Sequence, residues 1–241
     1  MKTKIAERLK RLKQKIGSVC ARVGRASSDV KLVVVTKSAT IEAIKEVICL
    51  GEIELGENRV QRLKKVSLQI ADFLEKADSD SGLPKKVNWH MVGHLQRNKV
   101  RQVLPIAALI HSVDTLRLAE ELNSSAAKLN LRPAVLLQVN TSEEPQKYGV
   151  PVGAATHLAE QVETMPNIDL VGLMTMAPLT RNKDVVRASF VRAQELFIEL
   201  KGEKIVGPKF TELSMGMSSD YEIAIEAGAT IIRIGSAIFA G

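Results

Sequence analysis

From Lys31 to the C-terminus the chain alternates between two periods, and this alternation restricts its fold more than any other feature. Short apolar runs rich in β-branched residues occupy 31–36 (KLVVVT), 52–55 (EIEL), 87–92 (VNWHMV), 108–113 (ALIHSV), 133–140 (PAVLLQVN), 168–175 (IDLVGLMT), 211–215 (TELSM) and 230–235 (TIIRIG). Such runs predict strands of a parallel sheet buried on both faces. Helical periodicity separates them. One helix starts at Thr40, carries Ile41, Ile44, Val47 and Ile48, and stops at Gly51. Another opens at Asp114 as an N-cap and buries Leu116, Ala119, Leu122 and Ala126. Ser219-Asp220-Tyr221-Glu222 has the capping-box pattern, and Gly228 stands where a C-cap glycine belongs. Eight strands separated by helices predict an α/β chain folded as a (β/α)8 TIM barrel, which suits a length of 241 residues. A doubly wound open sheet is the competitor, but no GxGxxG follows the first strand.

No stretch reads as a linker, so residues 1–241 are expected to form a single domain, with the polar segment 77–86 as a surface loop. Ahead of the first strand, Ile5, Leu9, Leu12, Ile16, Val19 and Val23 fall at three- and four-residue steps, which adds an amphipathic N-terminal helix. It lacks a continuous apolar core, and with Glu7 it reads as structural rather than as a secretory or transit segment. Its basic residues Lys2, Lys4, Arg8, Lys10, Arg11, Lys13 and Lys15 read as a solvated face. No apolar run reaches the roughly 18 residues of a membrane span. The formal net charge of +7 still favours some anionic partner: nucleic acid, a membrane surface or a phosphorylated small molecule. Cys20 and Cys49 lie in apolar helical patterns without a CxxC pair, so buried reduced thiols and a cytoplasmic protein are expected.

Barrels of this kind build their sites at the C-terminal ends of the strands. Lys37 follows Val33-Val34-Val35 directly, so its amine emerges at the barrel mouth. Desolvation there would keep more of it neutral, as Schiff-base chemistry requires. A solvated strand-end lysine is the plainer reading of the position alone. The loops after the seventh and eighth runs, SMGMSS and IGSA, offer glycines, hydroxyls and backbone N–H groups, where many barrels hold a phosphate. Together with Lys37 they describe a pocket for a phosphorylated aldehyde. Arg233 interrupts an isoleucine run in a buried strand and needs a partner. Either a carboxylate such as Glu212 or a bound heterocycle or phosphate would serve. His90 and His94 have i,i+4 spacing but straddle a strand end, with no third metal ligand evident.

The segments VVVTK, GENRVQ, WHMVGHLQRNK, HSVDTLRLAEELN, QVNTSEEPQKYGV, GLMTMAP and ELSMGMSSDYEIAIEAGATIIRIGSAIFAG, in this order, resemble the YggS/PROSC family of pyridoxal 5'-phosphate (PLP) homeostasis proteins. That family is similar in fold to the N-terminal barrel of alanine racemase, the fold type III PLP-binding barrel. The resemblance implies that Lys37 forms an internal aldimine with PLP. It also implies that Ser214, Gly235 and Ser236 bind the phosphate, that Arg233 faces the pyridine nitrogen, and that Asn58 lines the same pocket. Ser236 stands where a threonine is common, Arg62 where a glutamate is common, and SEEPQKYG replaces the usual loop, which leaves any role of Lys147 open.

An arginine beside the pyridine nitrogen disfavours its protonation and weakens the ring as an electron sink. Racemases take an essential tyrosine from a second domain of a partner subunit, and no such domain is expected here. Tyr148 and Tyr221 are the only tyrosines, and neither reads as a second base. The expectation is therefore a cytoplasmic, monomeric PLP carrier without robust catalysis and without a metal. It would act in vitamin B6 homeostasis, with apo PLP enzymes as partners and no specific nucleic acid or membrane. The alternatives are a single-domain PLP-dependent racemase or lyase, and a basic module for nucleic acid or membrane.

Overall fold

The computed structural model describes residues 3–78, 81–144 and 146–240. Lys2 of the basic run, Ser79 and Asp80 of the polar loop and Pro145 of the SEEPQKYG segment lie outside the described residues. Eight strands run parallel and neighbour one another in chain order: β1 (Lys31–Val35), β2 (Glu54–Glu57), β3 (Asn88–Met91), β4 (Ala107–Val113), β5 (Ala134–Asn140), β7 (Asp169–Met174), β8 (Glu212–Ser214) and β9 (Ile231–Ile234). β9 returns to pair with β1, placing Arg233 opposite Val33, and β4 pairs with β5, so the sheet closes on itself as a TIM barrel. The two-residue β6 (Val150–Pro151) pairs only with β5. The seventh and eighth expected runs are thus β8 and β9.

The helices are α1 (Lys4–Arg22), α2 (Ile41–Cys49), α3 (Val60–Glu75), α4 (Val100–Val103), α5 (Leu116–Leu129), α6 (Val152–Glu163), α7 (Lys183–Gly202), α8 (Tyr221–Glu226) and α9 (Ser236–Phe239). Most of the apolar core lies between the strands and this outer ring. A smaller cluster, Val33, Leu109, Leu136, Met174 and Ile231, fills the lumen.

Several boundaries differ from the sequence reading. β2 begins two residues later than expected. The turn that ends α2 takes up Gly51 and Glu52, whose N–H groups donate to Ile48 O and Val47 O, so the strand extends instead through Gly56 and Glu57. Asp114 is not the N-cap of α5. Thr115 takes that role, accepting from Leu118 N at 3.3 Å, and Asp114 turns towards His94. Asp220 precedes α8 without capping it through its side chain, and instead accepts from Met217 N at 2.6 Å. Gly228 does end α8, with a φ of +95° that an L side chain rarely adopts. Cys20 is buried, but Cys49 at the end of α2 is exposed.

α1 buries Leu9, Leu12, Ile16, Val19 and Cys20, and each buried aliphatic contributes roughly 1.5–3 kcal/mol. Its basic face is solvated, as expected, but some of its cations are also paired. Lys13 pairs with Glu52, Lys15 with Glu222 and Arg22 with Glu226. Just beyond the helix, Arg25 donates to Ile225 O at 3.0 Å and Ala229 O at 2.8 Å, closing the C-terminal end of α8. Among the described residues no helix is long and apolar enough to cross a membrane.

Candidate functional site

The strands end at a cavity of about 770 Å³ in the barrel mouth. Of the residues singled out from the sequence, Lys37, Asn58, Arg233, Gly235 and Ser236 line it. Ser214 does not. It is fully buried one layer below, inside the barrel.

Lys37 leaves the end of β1 on a short loop and is exposed at the cavity lip. The desolvation expected at this position is therefore not supplied by the barrel wall. The loop is held from beneath. Thr36 N donates to Gly56 O at 2.8 Å, and Thr36 Oγ1 donates to Glu57 Oε1 at 2.6 Å. Arg62, from the first turn of α3, donates to Glu57 Oε1 at 3.0 Å, to Thr36 O at 3.0 Å and to Ala39 O at 2.7 Å. Burial pushes the Glu57 carboxyl above its ordinary range, against the opposing effect of Thr36 and Arg62. Beside Lys37, Asn58 is fixed by close approach, because a Cβ at Gly93 would lie 2.2 Å from Asn58 O.

Arg233 crosses from β9 into the floor of the cavity and is 5% exposed. It donates to Ser214 Oγ at 2.7 Å and to Thr175 O at 2.9 Å. Glu212, the partner considered from the sequence, pairs with Lys31 at 3.3 Å instead, at the opposite end of the barrel. Among the described residues Arg233 has no carboxylate in ion-pair contact. Burial lowers its pKa to about 10, and the charge of Asp220 acts in the other direction.

The loops after β8 and β9 meet at the rim. Ser218 and Ser219 line the cavity beside Gly235, Ser236 and Ala237, and Ala237 N donates to Ser218 Oγ at 3.2 Å. A Cβ at Gly235 would stand 2.8 Å from Val35 O, so only glycine lets this loop approach β1 so closely. The hydroxyls reaching the rim are thus those of Ser218, Ser219 and Ser236. SMGMSS carries three serines: the buried one, Ser214, is the last residue of β8, and the two at the surface lie in the loop beyond the strand end.

The opposite wall was not assembled from the sequence. His94 and Tyr148 stack there with ring centroids 4.2 Å apart and 17° between planes. His94 Nδ1 sits 3.4 Å from Asp114 Oδ2. Burial raises the Asp114 carboxyl, while its contacts with His94 lower it. Gln138, on β5, donates to Tyr148 O at 3.0 Å and anchors the loop. His94 and Gln138 stood at expected strand ends, but nothing in the sequence joined either to Tyr148. Tyr221 lies on α8, packed against the core, and does not line the cavity. Lys147 does not line it either, and ties its loop down by donating to Ala177 O at 2.9 Å and pairing with Glu144. His90 and His94 are used separately, and among the described residues no group of three or more His, Cys, Asp or Glu could hold a metal ion.

Residues 5–241 match the family described as alanine racemase, N-terminal domain. A pyridoxal phosphate homeostasis protein of Aquifex aeolicus is 39% identical, over 97% of this chain and 96% of its own. A protein of the same name from Escherichia coli is 36% identical, over 98% and 95%. Among solved structures, PipY of Synechococcus elongatus with PLP bound superposes with a TM-score of 0.82 at 32% identity, covering 98% of this chain and all of that one. Alanine racemase of Clostridium difficile gives 0.70 at 12% identity over 95% of this chain and 55% of its own, which is a likeness of fold alone.

Proposed function

This chain belongs to the family of the alanine racemase N-terminal domain, and from that premise we propose that it binds PLP in the barrel-mouth cavity and serves intracellular PLP homeostasis. The single observation that carries this reading is Lys37 at the lip of a cavity whose floor is an arginine with no carboxylate in ion-pair contact among the described residues.

The residues present fit PLP. Lys37 offers a primary amine to the aldehyde. The Gly235 loop, too tight for a Cβ, and the hydroxyls of Ser218, Ser219 and Ser236 form an uncharged cradle for the phosphate. Ser214 supports this site from below, through Arg233, rather than touching the phosphate. Arg233 is a donor in a nearly dry floor, so it would face the pyridine nitrogen and keep it unprotonated. Asn58 would lie beside the ring. When bound, PLP supplies an aldehyde that condenses reversibly with amines. The chain's own residues hold the ring, fix Lys37 through Arg62 and keep a proton off the pyridine nitrogen. That arrangement suits storage and release better than carbanion chemistry.

The homeostasis name shared by the curated relatives supports a homeostatic role, and the PLP bound by PipY supports binding of that cofactor; in this reading the protein acts as a carrier without robust catalysis. We assign it to a single domain, a monomeric state and the cytoplasm, with apo PLP enzymes as recipients. One observation favours the second reading, a racemase or lyase: Tyr148 and His94 do line the cavity. Deuterium incorporation at the α-carbon across a panel of amino acids would support that reading, and none at all would exclude it.

The test of PLP binding is direct. Wild-type protein with added PLP should turn yellow, and borohydride should fix the cofactor on Lys37, located by peptide mass mapping. Lys37→Ala should lose both signals. A colourless protein with no label on Lys37 would overturn the proposal.

A further inference from the structure

A file of polar side chains runs from the floor of the cavity down the lumen to the opposite face of the barrel. Arg233 donates to Ser214 Oγ at 2.7 Å. Ser214 Oγ lies 3.0 Å from His111 Nδ1, His111 Nε2 lies 2.8 Å from His90 Nδ1, and His90 Nε2 lies 2.7 Å from Glu54 Oε2. Four strands besides β9 contribute to it. Ser214, His111 and His90 are all buried, whereas Glu54 opens into a cleft of about 420 Å³ at the N-terminal face. Asn88, Lys31, Lys209 and Glu212 share that cleft, and Asn88 donates to Glu54 Oε1 at 2.8 Å.

The two ends determine the direction of every bond between them. A guanidinium only donates and a carboxylate only accepts. Ser214 Oγ therefore accepts from Arg233 and gives its own proton to His111 Nδ1. His111 then carries its proton on Nε2 and donates to His90 Nδ1, and His90 donates from Nε2 to Glu54. We propose that Ser214, His111, His90 and Glu54 form a directional hydrogen-bond relay in which His111 and His90 are positioning residues, coupling Arg233 to the ionised carboxylate of Glu54 on the far face of the barrel. The relay is a property of the folded chain, and only its consequence for PLP rests on the function proposed above.

The surroundings of both terminal links agree with this direction. Burial raises the Glu54 carboxyl, but opposing effects led by the hydrogen bonds from His90 and Asn88 outweigh it, leaving the group below its ordinary value and ionised near neutrality. Burial, with the charges of Arg233 and Lys31 acting in the same direction, holds His111 well below the ordinary histidine value, so it stays neutral with one donor and one acceptor nitrogen. A further proton on His90 would reverse the two inner bonds, His90–His111 and His111–Ser214, while His90 Nε2 still donates to Glu54 and Arg233 still donates to Ser214. His111 would then donate from Nδ1 to Ser214 Oγ, and the serine hydroxyl would be left without an acceptor beside the guanidinium. A change at the bottom of the barrel is thereby felt at the floor of the cavity.

The first experiment needs no cofactor. Long-range ¹H–¹⁵N correlation spectra of the full chain at neutral pH should show both His90 and His111 neutral with the proton on Nε2. In Glu54→Gln, a conservative change at a partly exposed side chain, the spectrum of His111 should change although the two residues do not touch. A proton on His111 Nδ1 in the wild type, or an unmoved His111 signal in Glu54→Gln, would overturn the relay. The second experiment uses the PLP-loaded protein. The pH titration of the bound-cofactor absorbance should shift its midpoint by about half a unit or more in Glu54→Gln, and coincident curves would overturn the coupling to the cavity. Failure of PLP binding itself would appear as loss of borohydride labelling at Lys37 and would leave the spectra of the free chain unaffected.

Discussion

Arg62 illustrates how much one side chain organises at the barrel mouth. It joins α3 to both ends of the Lys37 loop and to the buried carboxyl of Glu57. Arg62→Met would leave Glu57 without its cation. Removing one partner of a fully buried pair costs about 3–5 kcal/mol, and because Arg62 is about one-third exposed, a loss of about 2 kcal/mol is expected in urea unfolding. The variant should also capture PLP more weakly, since Lys37 loses its support. Glu57 makes a separate prediction. Its folded-state pKa lies above the ordinary value, so the folded chain holds this proton more tightly than the unfolded chain does. Its favourable contribution is complete below the unfolded-state pKa and is lost as pH rises through the folded one. Glu57→Gln carries no charge to desolvate, so its stability relative to wild type should rise with pH across that window. Unfolding curves at a series of pH values test this, and a constant difference would refute it. None of this was legible in the sequence, where Arg62 showed only as an unusual residue and Glu57 only as one letter of the GENRVQ segment.

Among the elements, α1 has the least obvious link to the site. It packs on α8 and α9, and its cations pair with Glu222 and Glu226 on α8. Those two helices follow the loops that carry Ser218, Ser219 and Gly235, and α9 itself begins with Ser236. Leu12→Ala should cost about 2–5 kcal/mol of stability, as a buried large-to-small change does. It should also weaken PLP binding, measurable by fluorescence titration, although Leu12 is remote from the cavity. The amphipathic helix was legible from the spacing of its leucines and isoleucines. What its charged face does was not, because the carboxylates it meets come from segments distant in the chain.

At the scale of the whole molecule, the barrel is closed by β9, the last strand. A chain ending after Gly228 would expose the edges of β8 and of the valine-rich β1, and would lose Arg233 and Gly235 with them. Such a chain should aggregate on refolding, seen by light scattering, where the full chain returns to a folded state. The charge belongs to this scale as well. Some cations of α1 are paired with carboxylates of the barrel helices and loops, which leaves the formal net charge of +7 as it is, while the cradle at the rim is built from serines and backbone.

The sequence by itself determined the series of strands and helices, the barrel they close into, the place of Lys37 at the mouth and the glycine- and serine-rich loops facing it. These follow from short-range periodicity and from where each strand ends. Only the tertiary structure decided that Ser214 supports Arg233 from below while Ser218 and Ser219 reach the rim. It also decided that His94 stacks on Tyr148 and that Glu54, His90, His111 and Ser214 stand in one file. The physical reason is the double burial of parallel barrel strands. With both faces apolar, no alternation marks which side chains point into the lumen. Which inward residues of different strands meet depends on register and stagger, which are set only when the ring closes.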